Sequence, residues 1–155
     1  MKVTICSRSE IQKLLHSHFP ENTAVVSFYG EDESPVHFPP EIYHLRLYID
    51  DVWYSEVEDP SSYHLDDFRK IARFVLSCEK KKMDIICQCH VGVSRSAGAA
   101  AAILEFFEHN GISIFADYHY TPNQMFYQIL YRCLKEESSK DKEKCTTETE
   151  KPKED

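Results

Sequence analysis

Residues 84–104, DIICQCHVGVSRSAGAAAAIL, divide into three parts. Ile85, Ile86 and Cys87 form a short apolar run, the pattern of a strand buried on both faces. Seven residues follow as a loop that opens with Cys89 and closes with Arg95. From Ser96 to Asn110 the chain is almost wholly apolar and reads as a helix, with Gly111 as its expected C-cap. A strand that feeds a helix through a tight loop is how α/β proteins hold a phosphate. Backbone N–H groups curl round the anion and the helix N-terminus adds its partial positive charge.

The two ends of the loop give it chemistry. A cysteine at the mouth of such a nest has its thiol pKa lowered from about 8.5 into roughly the 3.5–7.5 range. Arg95 offers a planar fork that grips two oxygens of a phosphoryl group, which lysine does less well. Gly92, at mid-loop, permits a backbone conformation and a close approach denied to other residues.

Cys89-x5-Arg95, followed by Ser96 and carrying Gly92 between, resembles the signature loop of the cysteine-dependent protein tyrosine and dual-specificity phosphatases, and most resembles their compact, bacterial dual-specificity-like members. The strand before the loop and the alanine-rich helix after it belong to the same likeness, which covers residues 1–135. The resemblance implies that Cys89 is a nucleophile and that Ser96 hydrogen-bonds its thiolate. It also implies that His90, Val91, Gly92, Val93, Ser94 and Arg95 hold the phosphate. The family commonly places histidine before the nucleophile; here Gln88 stands there, able to donate hydrogen bonds but without positive charge.

At 155 residues the chain is expected to form one domain. A net charge of −8 argues against nucleic acid or an anionic membrane as the main partner. The longest apolar run, Ala97–Leu104, is far too short to span a bilayer, and MKVTICSRSE lacks a signal-peptide layout. Six scattered cysteines suit a reducing, cytoplasmic setting. Cys87 and Cys89 have no second pair at zinc-ligand spacing, so neither metal nor other cofactor is expected. Nothing fixes the oligomeric state, and a monomer is the simpler expectation.

From the start, Lys2–Cys6 alternates as a strand, and Ser7-x-x-Glu10 is a capping box for a helix carrying Ile11, Leu14, Leu15 and Phe19. Ala24–Tyr29 and Tyr43–Ile49 read as further strands, separated by a polar, proline-broken loop over residues 31–41. Leu65, Phe68, Ile71, Ala72, Val75 and Leu76 share one helical face, and Lys80-Lys81-Lys82 ends that helix. Residues 112–120 read as a short helical or irregular segment. A last helix is expected with Thr121 as cap, Pro122 at its first position and a stripe from Phe126 to Leu134. Beyond Glu136 no Val, Ile, Leu, Met or aromatic residue occurs and 13 of 20 residues are charged, so residues 136–155 are expected to be a disordered tail. The order β-α-β-β-α-β-α-α predicts an α/β fold, a mostly parallel four- to five-stranded sheet with helices on both faces.

Between Asp50 and Pro60 the chain loses periodicity, carries five acids and holds the only tryptophan. Phosphate transfer to Cys89 needs an acid for the leaving group, and the following hydrolysis needs a base for water; one carboxyl group serves both. In the resembled family it is an aspartate on a separate upstream loop, which Asp51 matches. Asp50 is the alternative, with Glu56, Glu58 and Asp59 in the same loop. The loop interior holds no lysine, which favours a singly phosphorylated ester, on a phosphoprotein (phosphotyrosine, phosphoserine or phosphothreonine) or a small molecule. Two other readings stay open: a phosphate-binding module that does not turn over, and arsenate reduction or sulfur transfer at the same loop. Cys87 also has two readings, a redox partner of Cys89 or a small apolar residue in a buried strand.

Overall fold

The computed structural model describes residues 1–148, with side chains through Thr146. Four strands and five helices follow in the order β1 (Val3–Cys6), α1 (Arg8–His16), β2 (Thr23–Tyr29), β3 (His44–Tyr48), α2 (Leu65–Lys80), β4 (Asp84–Gln88), α3 (Arg95–Glu108), α4 (Ile112–Ala116) and α5 (Gln124–Glu148). The sheet order is β1-β4-β2-β3, and every pairing is parallel. The expected α/β architecture is therefore present, with four strands and no antiparallel member among the described residues.

Parallel sheets are covered on both faces, which is why β2 and β4 read as continuous apolar runs rather than alternating ones. Ala24, Val26 and Phe28 of β2 join Ile85 and Cys87 of β4 in a core shared with α2, α3 and α5. Val25 and Ile86 point the other way, where they cluster with Cys6 of β1 and Ile11 of α1. The Ser7 capping box is formed as the spacing predicts: Ser7 Oγ accepts from Glu10 N–H at 3.1 Å, and Glu10 accepts from Ser7 N–H at 2.8 Å.

Alternating small and large side chains decide how closely α5 docks. A Cβ on Gly98 of α3 would lie 2.4 Å from the Asn123 carbonyl oxygen, so only glycine lets the start of α5 sit where it does. Phe126 then meets Phe28 of β2 and Phe68 of α2 edge-on, at centroid distances of 5.2 and 5.1 Å. Removing a wholly buried phenylalanine of this kind costs about 3–5 kcal/mol. That anchor holds Asn123, one turn earlier, against the Cys89 loop.

Three boundaries differ from the sequence expectation. Helix α3 stops at Glu108, and His109 takes the left-handed conformation at φ 53°. Gly111 is not the C-cap; it opens α4, where a Cβ would lie 2.7 Å from the Ala101 carbonyl. The cap of α5 is Asn123 rather than Thr121, because it is Asn123 Oδ1 that accepts the Phe126 N–H, at 3.1 Å. The third difference is larger. Where a disordered tail was expected from Glu136, α5 continues to Glu148. Composition missed the neighbours: Glu137 is buried between Arg73 (3.6 Å) and Lys140 (2.9 Å), and Asp141 pairs with Lys80 at 2.8 Å. Charges on α2 thus meet charges on α5, so a segment without apolar residues still packs. Residues 149–155 of the expected tail lie outside the described residues.

Because all strands run the same way, their carboxyl ends open on one edge of the molecule. Ser7, Gly30, Asp50 and Cys89 follow β1, β2, β3 and β4 there. Ligands of open parallel sheets bind at that edge.

Candidate active site

The loop from Cys89 to Ser94 leaves the centre of this edge and runs into α3. Its shape depends on Gly92, at φ +78°, a region that other L-residues rarely adopt. A Cβ there would lie 2.6 Å from the Ser7 backbone nitrogen. Backbone bonds fix the loop from outside: Cys89 N–H donates to the Cys6 carbonyl (3.3 Å), Arg8 N–H to that of His90 (3.0 Å) and Thr121 N–H to that of Val93 (2.9 Å).

The Cys89 sulfur is the focus of the curl. Gly92 N–H donates to Sγ at 3.3 Å, and Ser96 Oγ lies 3.1 Å from it at the start of α3. Only 2 % of Cys89 is exposed. Ser96, expected beside the sulfur, lies within hydrogen-bond distance of it, and Gly92, expected to hold phosphate, donates to it as well.

Arg95 is 4 % exposed, yet its guanidinium is not saturated. Nη2 donates to Glu33 Oε1 at 2.6 Å and Nη1 to the Ile49 carbonyl at 3.2 Å. Nε is buried with no partner. A buried donor left unpaired is costly, and in native structures it calls for an explanation such as an absent ligand. Burial pushes the Arg95 guanidinium toward losing its proton, but the Glu33 hydrogen bond and charge outweigh it and hold the cation. Partial burial raises Glu33 in turn, and Arg95 overcomes this and keeps the carboxylate below its usual range. Glu33 thus fixes a charged fork that keeps donors, Nε among them, without a partner. Sequence reasoning placed Glu33 in an unremarked polar loop; its only signal was an acid four residues past the end of a strand.

The acids of the 50–59 loop separate by their partners. Asp51 Oδ1 accepts from Ser94 Oγ and from Asn123 Nδ2, each at 2.8 Å, which joins it to the Cys89 loop and to α5. Asn123 Nδ2 also donates to the Val52 carbonyl at 2.8 Å, and Asn123 N–H to the Ser94 carbonyl at 3.0 Å. Asp50 Oδ1 instead accepts Glu31 N–H at 2.7 Å. Glu56 accepts the Trp53 N–H at 2.6 Å, and Asp59 accepts both Ser61 and Ser62 hydroxyls at 2.7 Å. Glu56 and Asp59 shape their own loop; of these four acids, Asp51 alone bonds to the Cys89 loop. Asn123 is the second residue that sequence reading missed, since its Thr-Pro-Asn context read as a helix start and no more.

Gln88 is 1 % exposed and fully engaged. Its Oε1 accepts from Ser27 Oγ across the β2–β4 pairing, and its Nε2 donates to the Cys89 carbonyl at 2.8 Å. It braces the backbone of the loop without adding charge. Cys87 faces the core shared with α2, α3 and α5, and complete burial pushes its thiol far up. Its surroundings are those of a packing residue. Among the described residues, no group of His, Cys, Asp or Glu side chains is arranged to hold a metal ion. No helix among them is long and apolar enough to cross a membrane.

No protein-family model matches the chain, and no curated protein matches it in sequence. Solved structures do match. The chain is similar to PTPMT1, whose structure is described in complex with PI(5)P, with 18% identity and a TM-score of 0.55 over 90% of this chain and 94% of that one. It is similar to DUSP15, with 18% identity and a TM-score of 0.57 over 84% of this chain and 81% of that one. It is also similar to the PTP-2 phosphatase of Cydia pomonella, with 16% identity and a TM-score of 0.58 over 84% of both chains. The architecture built above, a four-stranded parallel sheet with the Cys89 loop at its carboxyl edge, is thus the fold seen in dual-specificity and tyrosine phosphatase structures.

Proposed function

We propose that the protein is a phosphate-monoester hydrolase that works through a cysteinyl-phosphate intermediate on Cys89. The observation that carries this reading is the pairing of a sulfur held by Gly92 N–H and Ser96 with a buried guanidinium whose Nε has no partner. A phosphoryl group seated over the loop gives that donor an acceptor and lies against the sulfur.

Two steps follow. The Cys89 thiolate attacks phosphorus; the S–P bond forms, the ester O–P bond breaks, and the leaving oxygen takes a proton from the Asp51 carboxyl group. Asp51, now a carboxylate, takes a proton from water, whose oxygen attacks phosphorus. The S–P bond breaks, inorganic phosphate leaves and the thiolate returns. Ser96 stabilises the departing thiolate in this second step. Arg95 and the N–H groups of His90, Val91, Gly92, Val93 and Ser94 bind the equatorial oxygens, more tightly as their charge grows in the transition state. The bonds from Ser94 and Asn123, which join Asp51 to the Cys89 loop, support this role for it. The substrate class is a phosphorylated protein side chain or a small phosphate ester, in a reducing, cytoplasmic setting that keeps Cys89 as a thiol.

Hydrolysis of p-nitrophenyl phosphate near about pH 6 tests the reading, as general acid–base pairs operate near their own pKa values. Turnover that is lost in Cys89→Ser and in Arg95→Ala supports it. Absence of turnover in the wild type refutes it. That outcome favours a phosphate-binding module, for which the neutral Gln88 behind the sulfur is the one supporting observation.

A further inference from the structure

The segments that flank the loop are mostly acidic, with the cations Arg8, which donates to the Ser34 carbonyl, and Arg132, which donates to the Ser61 carbonyl, beside them. The segments after β2 (residues 30–34) and after β3 (residues 50–59) contain no lysine or arginine. The first reaches the guanidinium and the second reaches the loop beside it. A Cβ on Gly30 would lie 3.3 Å from Arg95 Nη1, Glu33 pairs with Arg95, and Asp51 bonds to Ser94. Beyond these engaged carboxylates stand exposed ones, Glu31 and Asp32 on one side and Glu56 and Glu58 on the other. Two tyrosine hydroxyls report the gathering. Tyr48 is raised by desolvation and then by Asp50, Glu31 and Asp32; Tyr63, which donates to the Asp50 carbonyl at 3.4 Å, is raised by burial and by Asp50, Asp51 and Glu56 against Arg95. Arg95 Nε, buried and without a partner, is the donor that the proposed function gives to the phosphoryl group.

We infer that the site selects phosphoryl groups carried on cationic polypeptide, with lysine or arginine close to the phosphorylated residue. This deepens the proposed hydrolase function and rests on it. The seat of the phosphate is positive and the side chains around it are mostly acidic, Arg8 beside Ser34 and Arg132 beside Ser61 being the exceptions named above. A substrate whose single phosphate is flanked by basic side chains meets complementary charge at both distances. A lipid headgroup in an anionic bilayer meets repulsion from the rim and from the net charge of −8. Rim charges are exposed, so their effect lies in encounter and orientation and weakens as salt shortens the screening length.

The test compares phosphotyrosine peptides with lysine flanks and with glutamate flanks, at low and at high ionic strength. The expected result is a preference of about tenfold or more in kcat/KM for the lysine-flanked peptide at low salt, shrinking as salt rises. In the variant Glu31→Gln/Asp32→Asn/Glu58→Gln the preference falls to about twofold, while p-nitrophenyl phosphate turnover stays within about twofold of wild type. Asparagine suits position 32, which sits at φ 61°. Equal rates for the two peptides, or faster hydrolysis of a phosphoinositide in vesicles than of any peptide, overturn the inference while p-nitrophenyl phosphate turnover leaves the hydrolase reading standing. Binding to Cys89→Ser, read by fluorescence anisotropy, addresses the preference without turnover. Tighter capture of the lysine-flanked peptide supports it, and indifference to the flanks overturns it.

Discussion

Asn123 joins three parts of the site, and replacing it with alanine measures that junction. The substitution removes the bond to the Asp51 carboxylate, the bond to the Val52 carbonyl and the cap on the Phe126 N–H. A hydrogen bond to a charged group contributes about 1.5–3 kcal/mol and a neutral one about 1 kcal/mol. A lost helix cap costs about 1 kcal/mol. Together these give a destabilisation of about 4 kcal/mol. At roughly 2–4 °C per kcal/mol for a chain of this length, Tm falls by about 8–16 °C. Asp51 keeps only the Ser94 hydroxyl, so kcat falls by about tenfold to a hundredfold. The loss is greater for an alkyl phosphate, whose leaving group needs a proton, than for p-nitrophenyl phosphate. Asn123→Asp separates the roles, since it retains the acceptor for Phe126 but sets a second carboxylate against Asp51. It keeps more of the melting temperature and none of the lost activity. An Asn123→Ala protein that melts within about 2 °C of wild type and hydrolyses both esters normally refutes the reasoning.

Gly92→Ala forces a left-handed φ on alanine and drives a methyl group into the Ser7 backbone, so stability drops by at least about 1–2 kcal/mol and phosphate binding weakens, read by denaturation with and without inorganic phosphate. Partial burial raises the Glu33 carboxyl group and Arg95 more than reverses this, so its folded pKa lies below the unfolded one. Its contribution to stability is therefore present above the unfolded value of about 4.3 and lost as pH falls through the folded value; the urea midpoint of wild type declines more steeply between about pH 5 and 3 than that of Glu33→Gln. Truncation after Lys135 removes the pairs of Glu137 with Arg73 and of Asp141 with Lys80, which together contribute about 1 kcal/mol, so Tm drops by a few degrees.

The strand, loop and helix over residues 84–104 were legible because each local choice agrees: an apolar run, a glycine at the turn, a cysteine and an arginine at the loop ends, and alanines on a helix that packs on the sheet. Asp51 stood in the sequence as what the family resemblance implies, with Asp50 as the alternative, and its bond to Ser94 had no local signal. What sequence reading missed were contacts between distant segments. Glu33 and Arg95 lie 62 residues apart and Asn123 and Asp51 72 apart, and neither pair shares a periodicity. The continuation of α5 was hidden for the same reason. Composition counts the charges of residues 136–148 as solvated, whereas Arg73 and Lys80 on α2 supply partners that no local window contains. Gly111 misled because a glycine after a helix reads as a C-cap, while here it admits the Ala101 carbonyl.

Acid quench during turnover of a rapidly hydrolysed aryl phosphate, followed by peptide mass spectrometry, addresses the sulfur chemistry without intermediaries. The account predicts a phosphoryl group on the Cys89 peptide, accumulating in Asp51→Asn, where water lacks its base, and absent in Cys89→Ser. Steady hydrolysis with no phosphorus–sulfur adduct at Cys89 in either wild type or Asp51→Asn contradicts it.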